Sequence, residues 1–269
     1  MKESFHGRTL ATCTATGQYP VHRYFEPLPD GFRYAEFNNL DSVKAIMDEY
    51  VCAILTEPVQ GEGGVRPASR EFLQGLRELC DEKGILLMFD EVQVGSGRTG
   101  KLFAHQYYGV EPDTCSMAKA LGSGVPIAAV CAKGEAAKVL TPGTHGSTFA
   151  GGPLACALAA TTLDVMLNEG VLDNCAEMGE YFRQQAHEVI EKHHPNAIQE
   201  IRGLGLIDGI QLKHPSGQPV VDLCFQDSKV LINNTAGNVL RFIPPLIVGK
   251  EEIDIVIKAV DDAMTKLGW

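Results

Sequence analysis

Two continuous apolar runs dominate the first third of the chain. Val51-Cys52-Ala53-Ile54-Leu55-Thr56 stops at Glu57-Pro58, and Ile85-Leu86-Leu87-Met88-Phe89 stops at Asp90-Glu91. Runs without polar alternation suit strands covered on both faces, as in a parallel sheet. Between them, Phe72, Leu73, Leu76, Leu79 and Cys80 recur at helical spacing and Gly84 closes the segment, the punctuation of a helix end. The pattern predicts a β-α-β unit, with further short strands over 114–117 and 127–131.

The pattern changes after Pro153. Residues 154–167 read as a long, Ala-rich helix, and 171–193 as an amphipathic one with Leu172, Cys175, Met178, Phe182, Val189 and Ile190 toward the core. Strand-like runs follow over 198–202, 206–212 and 239–243. A last helix carries Ile253, Val256, Ile257, Val260, Met264 and Leu267 at 3.6-residue spacing. The fold class expected is α/β: a large domain with a mostly parallel sheet over 1–165, then a smaller C-terminal α+β domain over 166–269. No internal repeat or low-complexity tract interrupts it.

The composition of the 269 residues, 45% hydrophobic and 21% charged, is that of a globular chain large enough for more than one domain. A net charge of −11 without a basic block argues against nucleic acid or an acidic membrane surface as partner. No apolar run reaches the ~20 residues that span a bilayer. The eight cysteines form no CxxC pair, and Cys52, Cys131 and Cys156 lie in apolar runs. They read as buried, reduced thiols of a cytoplasmic protein, rather than a disulfide framework or a zinc site, and no metal site is expected.

In open α/β sheets, ligands gather beyond the carboxyl ends of the strands. Glu57, Asp90 and Lys119 each fall at such an end. Lys119 lies between Ala118 and Ala120-Leu121, ahead of Gly122-Ser123-Gly124-Val125-Pro126. An isolated lysine is ordinarily a surface residue. Apolar flanks at a strand end predict partial desolvation instead, which would make the amine a usable nucleophile. Asp90, closing an apolar strand, needs either a cationic partner or a helix N-terminus to cap. The turn Gly95-Ser96-Gly97-Arg98-Thr99-Gly100 lacks the Lys-Ser/Thr that ends a P-loop, so a nucleotide site there is disfavoured. On spacing alone Arg8, Glu62 and Arg241 are surface charges, and Ser147-Thr148 belong to a Gly-rich loop ahead of a helix.

Taken together, several segments resemble the class III aminotransferases, the acetylornithine/ornithine branch most of all. They are Phe5-His6-Gly7-Arg8-Thr9, Glu57-Pro58-Val59-Gln60-Gly61-Glu62-Gly63-Gly64, Asp90-Glu91-Val92-Gln93, Ser116-Met117-Ala118-Lys119, Ser147-Thr148-Phe149 and Leu240-Arg241-Phe242-Ile243-Pro244-Pro245. The resemblance implies fold type I and the cofactor pyridoxal 5'-phosphate (PLP), held covalently by Lys119 as the catalytic residue. Asp90 would pair with the pyridine nitrogen and let the ring act as an electron sink. Gln93 would donate to the phenolic oxygen, and Phe5 would cover the ring. Thr148 would donate to the cofactor phosphate of the neighbouring subunit, which implies a homodimer with shared active sites.

On the substrate side the resemblance assigns Arg8 to a distal carboxylate and Arg241 to the α-carboxylate of glutamate or 2-oxoglutarate. Arginine's planar fork pairs with both carboxylate oxygens. Glu62 would cover Arg241 when the ω-amine substrate is bound, and Ser147 falls with the substrate residues. The implied reaction transfers the ω-amine of N2-acetylornithine to 2-oxoglutarate, giving N-acetylglutamate semialdehyde and glutamate in arginine biosynthesis. Residues 231–241 are nearer that branch than the ornithine or 4-aminobutyrate branches. Succinylornithine, succinyldiaminopimelate, ornithine or 4-aminobutyrate as donor, or an inactive truncated paralogue acting as a subunit, are the alternatives. Glu91 reads as structural.

Two departures matter. Ala150-Gly151-Gly152-Pro153 stands where the family has Gly-Gly-Asn-Pro, which predicts an altered loop. The resemblance also spans only the later two-thirds or so of a family member, without the upstream Gly-Thr/Ser-x-Ala-Asn loop that offers backbone N–H groups to the phosphate. A chain lacking that segment is expected to expose apolar surface and to be poorly soluble or poorly active alone.

Overall fold

The computed structural model describes all 269 residues, Met1–Trp269. Three short helices, α1 (Leu10–Ala15), α2 (Tyr19–His22) and α3 (Leu40–Ala45), precede strand β1 (Ala53–Thr56). A two-stranded ribbon, β2 (Val59–Gln60) and β3 (Arg66–Pro67), leads to helix α4 (Arg70–Lys83) and strand β4 (Leu86–Asp90). Helix α5 (Ala104–Tyr108), strand β5 (Thr114–Met117) and strand β6 (Ala129–Ala132) follow.

The first sheet has the order β1-β4-β5-β6. β1 pairs parallel to β4, and β4 parallel to β5. α4 is the crossover of the expected β-α-β unit. The Ser69 side chain accepts from Phe72 N, and Gly84 closes the helix in the left-handed conformation (φ 65°), a turn glycine adopts without a Cβ penalty. The buried face of α4 is Phe72, Leu73, Leu76, Leu79 and Cys80, packed with Ile54, Leu87 and Phe89 in one core. Cover on the opposite face is thinner, and Leu55, Leu86 and Met88 are only half-buried. The register Thr56↔Phe89 and Asp90↔Ser116 brings the carboxyl ends of three strands to one edge.

β6 departs from the parallel expectation. It runs antiparallel to β5, with Cys115 opposite Cys131, because only a short loop joins the two strands. It is also the outer strand, and its Val130 is 66% exposed. Helix α6 (Pro153–Asn168) is apolar nearly all round but buries only Ala159 and Met166. The eight cysteines are free. Five are buried, but Cys52, Cys131 and Cys156, expected inside from their apolar runs, are exposed. Cys52 precedes the first paired residue of β1, Cys131 sits on the outer strand and Cys156 on the uncovered α6, so an apolar neighbourhood in sequence does not become one in space.

The second sheet, of order β7-β8-β10-β9, is antiparallel. Its strands are β7 (Ile198–Leu204), β8 (Ile207–Leu212), β9 (Asn233–Thr235) and β10 (Val239–Phe242). Helices α7 (Val171–Gln185), α8 (Gln218–Ser228) and α9 (Lys250–Leu267) share its core, with Ile210, Leu240, Phe182, Val220, Ile257 and Met264 among the buried residues. α7 runs on as a π-helical turn over Ala186–Glu191 that keeps Ala186 and Ile190 inside. No single helix is long and apolar enough to cross a membrane.

Candidate active site

Asp90 ends β4 and is buried. Its Oδ1 accepts from Val92 N (3.0 Å) and from Ser116 Oγ (3.3 Å) on the adjacent strand end. Its Oδ2 lies 2.7 Å from His6 Nδ1. The chain enters a series of turns after Asp90 rather than a helix, so the carboxylate closes its own turn and caps no helix. Glu91 is the one that caps: its two carboxylate oxygens accept from Ala104 N (2.5 Å) and His105 N (2.9 Å) at the start of α5.

The segment carrying Phe5 and Arg8 is stitched to the same edge. Phe5 N donates to Glu57 Oε2 (3.1 Å), and His6 N to Thr16 Oγ1 (2.9 Å). The Arg8 guanidinium lies 5.5 Å from the centre of the Phe5 ring, and Arg8 is otherwise exposed. Glu57 shares the signal of Asp90, an acid closing an apolar strand, but carried no assigned role. It is buried, and burial, then the charge of Asp90, pushes its carboxyl up to about 8 against the Phe5 and Gly61 amides.

Across the edge, the ribbon meets the second sheet. Arg241 Nη1 on β10 contacts Glu62 Oε1 at 2.7 Å and donates to Gln93 Oε1 at 3.2 Å. Gln93 Nε2 donates to Glu62 Oε1 at 3.3 Å. The Arg241 side chain is 8% exposed and Glu62 35%, so these are not two independent surface charges. Burial alone would raise the Glu62 carboxyl; the Arg241 guanidinium outweighs it, with help from the Gln93 amide and the charge of Lys119, and holds it below its usual range. A side chain at Gly61 would displace the Gln93 carboxamide, because its Cβ would fall 1.6 Å from Gln93 Oε1. Thr235 Oγ1 donates to Glu62 O at 2.6 Å and pins the acid from the β9 side.

Lys119 follows β5 as the first residue of a 3-10 turn, in the left-handed region at φ 46°. Backbone held there by a non-glycine residue is strained, and such strain clusters at functional sites. The expected desolvation is not found. Met117 and Leu121 take the buried positions of this turn, and Lys119 is exposed. Its charge still reaches Glu62. Ser147 and Thr148 lie in a fully exposed loop ahead of α6, apart from the cluster that unites Phe5, Glu62, Asp90, Gln93 and Arg241.

The turn 95–100 is no phosphate cradle. Gly95 N donates to Glu91 O, Gly97 N to Leu102 O and Gly100 N to Gly97 O, which leaves those amides no anion to bind. Arg98 instead ties the turn to the second sheet, donating to Leu206 O (2.9 Å) and Pro244 O (2.5 Å).

One edge therefore collects a buried carboxylate, a free amine, a carboxamide and an aromatic ring. That donor set fits PLP: an acid for a pyridinium N–H, an amine for an aldehyde, an amide for a phenolic oxygen. The architecture is fold type I of the PLP-dependent transferases. The chain belongs to the class III aminotransferases, whose family model, Aminotransferase class-III, matches residues 1–264. It is 47% identical to an acetylornithine aminotransferase of Methanocaldococcus jannaschii over 99% of its own length and 66% of that enzyme's. It is 49% identical to acetylornithine aminotransferase 1 of Bradyrhizobium diazoefficiens, over 93% of this chain and 61% of that one. Among solved structures, an ornithine aminotransferase from Toxoplasma gondii superposes with a TM-score of 0.92 at 34% identity, over 99% of this chain and 63% of that one. The chain thus spans somewhat less than two thirds of these relatives.

Proposed function

We propose that this chain carries PLP-dependent transamination between N2-acetylornithine and 2-oxoglutarate. What carries the reading is the Arg241–Glu62 pair, 2.7 Å apart and in reach of Gln93. An arginine that an acid can cover or release lets one pocket take an α-carboxylate in one half-reaction and an uncharged or cationic group in the other. The similarity to acetylornithine aminotransferases at 47% and 49% identity supports the donor.

In this reading the Lys119 amine would hold the cofactor and would serve as the base at the amine-bearing carbon, Cδ of N2-acetylornithine and Cα of glutamate. PLP, when bound, supplies the electron sink. Asp90 holds the ring-nitrogen proton, Gln93 donates to the phenolic oxygen and Phe5 covers the ring. Arg8 binds the distal carboxylate, Arg241 the α-carboxylate, and Ser147 lines the substrate side. Thr148 reaches the cofactor phosphate of a second copy, making the working unit a homodimer. Its support is the exposed apolar side chains of β6, α6 and the loop between them, with Phe149 93% and Leu154 73% exposed, the kind of surface that marks a contact site. The two domains divide near 165, and the enzyme serves arginine biosynthesis in the cytoplasm.

The test is to incubate the chain with PLP, reduce with borohydride and map the adduct by peptide mass spectrometry. A stoichiometric adduct at Lys119 is expected, and an adduct elsewhere overturns the site. A donor panel follows: a higher kcat/KM for 4-aminobutyrate than for N2-acetylornithine overturns the substrate.

A further inference from the structure

The turn that carries Glu62 is gripped at its far end by an arginine that none of the roles above uses. Arg202 on β7 and Arg241 on β10 both pair with Gly209 of β8. Directly opposed residues of antiparallel strands project from one face, so Arg202, Gly209 and Arg241 form a row across the second sheet. The turn Gly61–Val65 is held along that row. Arg241 holds the Glu62 carboxylate at one end. At the other, Arg202 Nε donates to Val65 O (2.7 Å) and Nη2 to Gly64 O (2.6 Å). In the middle, a Cβ on Gly209 would fall 2.9 Å from Val65 Cβ, so the missing side chain leaves room for the turn to seat. Arg202 Nη1 is anchored on Gln211 Oε1 (2.6 Å) and Glu200 Oε2 (2.5 Å), and the side chain is 12% exposed.

The turn needs such a hold. Val65 is β-branched, yet it lies in the left-handed region at φ 50°, after Gly64 at φ 102°. A branched side chain disfavours that conformation, and strain of this kind persists only where the surroundings enforce it. Inside the turn, Gly64 N and Val65 N both reach back to Gly61 O, at 3.4 and 3.3 Å, long for such bonds. The shorter bonds come from outside, from Arg202 and from Thr235 Oγ1 to Glu62 O. We propose that Arg202 is a positioning residue for Glu62, clipping the far end of the turn so that the acid stays in reach of Arg241. The inference rests on the transamination reading given above and deepens it. Arginine suits the clip because its planar fork spans two adjacent carbonyls while Nη1 stays on the sheet. With the clip gone, Glu62 strays and Arg241 is left uncovered in the half-reaction whose substrate brings it an amine end and no carboxylate. The acceptor, which displaces Glu62 in any case, is little affected.

Arg202→Ala, Glu62→Gln and the double variant test this on the full chain. Two things are read: KM and kcat of each half-reaction, and hydrogen exchange of the peptide spanning residues 58–68, followed by mass spectrometry on the chain without cofactor. In Arg202→Ala the KM for N2-acetylornithine is expected to rise about tenfold while that for 2-oxoglutarate stays within about twofold, the mark of a group displaced on one substrate's side. Exchange over residues 58–68 speeds up. The double variant is no worse than Glu62→Gln, because both changes remove the same cover. A merely structural arginine would lower kcat in both half-reactions and add to Glu62→Gln, and either result overturns the role. Unchanged exchange over 58–68 also overturns it and leaves the transamination reading intact. Wild type without either half-reaction strikes the transamination reading, and the positioning role falls with it. Should Arg202→Ala fail to fold, Arg202→Lys keeps the charge but cannot span both carbonyls; it is read in the same way and is expected to raise the donor KM about threefold.

Discussion

Strand β6 is apolar throughout and β8 carries Asp208 and Gln211, yet it is β8 that is buried. In β8, Ile207, Asp208, Gly209, Ile210 and Leu212 are all buried. In β6, Val130 and Cys131 face solvent. β8 lies between β7 and β10 and under α7, whereas β6 has a neighbouring strand on one side only and packs just Ala129 against the small cluster that holds Ala159 of α6. The same contrast holds for polar side chains. Asp208 is sealed in with Arg183 Nη1 at 2.6 Å, while Ser147 and Thr148 project from an open loop. Burial is thus set by position in the layered stack, not by the apolar content of a segment, and the open region is where the proposed second copy would have to sit.

The sharpest way to break this comparison is to cut equivalent side chains in the two regions. Ile210→Ala should cost about 2–5 kcal/mol, as cavities in sealed cores do. Leu154→Ala on the bare α6 should change stability by less than about 0.5 kcal/mol in the monomer. Urea midpoints at low protein concentration measure both. Equal losses would mean that the α6 face is covered in solution. The complementary measurement is sedimentation velocity on a Phe149→Ser/Leu154→Ser double variant. The dimer fraction is expected to fall, and an unchanged fraction would place any dimer contact elsewhere.

Next in size is the seam that joins the regions, the Arg241–Glu62 pair. Truncating one member of a largely buried charge pair strands the other. Arg241→Ala is expected to raise the KM for 2-oxoglutarate by on the order of a hundredfold, equivalent to ~3 kcal/mol. Glu62→Gln should change the KM of the acceptor less than that of the ω-amine donor, measured by steady-state kinetics of the two half-reactions. Equal shifts for both substrates would remove the gating role from Glu62.

A smaller effect separates the sealed acids from the exposed ones by pH. Burial raises Asp208 to about 7, against the pull of Arg183, and Glu57 to about 8. A carboxyl whose folded value is raised holds its proton after the unfolded chain has released it, so the native state binds more protons and stability falls with rising pH. The loss begins near pH ~4, where the unfolded groups ionise, and is complete once pH passes the folded values near ~8. Thermal midpoints should therefore decline over that window, and Glu57→Gln should flatten part of the decline. A midpoint that rises from pH 5 to 8 would show that both acids are ionised in the folded chain.

Periodic segments were legible from sequence because each answers to a local rule. Phe72 to Cys80 form one helical face and Gly84 its stop; β4 and β5 end where Asp90 and the Lys119 turn begin. What depends on layers was not legible. Helix α8 buries little more than Val220 and Cys224, too few for a period, and β9 is only Asn233–Thr235. The exposure of Lys119 could not be read from apolar flanks, because Met117 and Leu121 turn inward without it. Glu62 and Arg241 lie 179 residues apart, and only the family resemblance joined them. His6 was quoted within a motif but left without a role, since nothing local says that its ring faces Asp90.

The smallest test concerns Gly152, one of the two positions, with Ala150, at which residues 150–153 depart from Gly-Gly-Asn-Pro. Gly152 is the N-cap of α6, in extended conformation with no side chain to cap, and Pro153 follows at the first helical position. Asparagine there would accept from a free N–H of the first turn, where glycine leaves those donors to water. Because Gly and Asn differ by only a few tenths of a kcal/mol at an N-cap, Gly152→Asn should raise the melting temperature by ~1 °C or less. Differential scanning calorimetry is precise enough to see it. The residue sits at the join between the open loop carrying Thr148 and the helix whose face is bare, so a rise well beyond that range would mean the cap also orders the loop. The altered loop would then be a matter of capping, and the open region more readily closed than its exposure suggests.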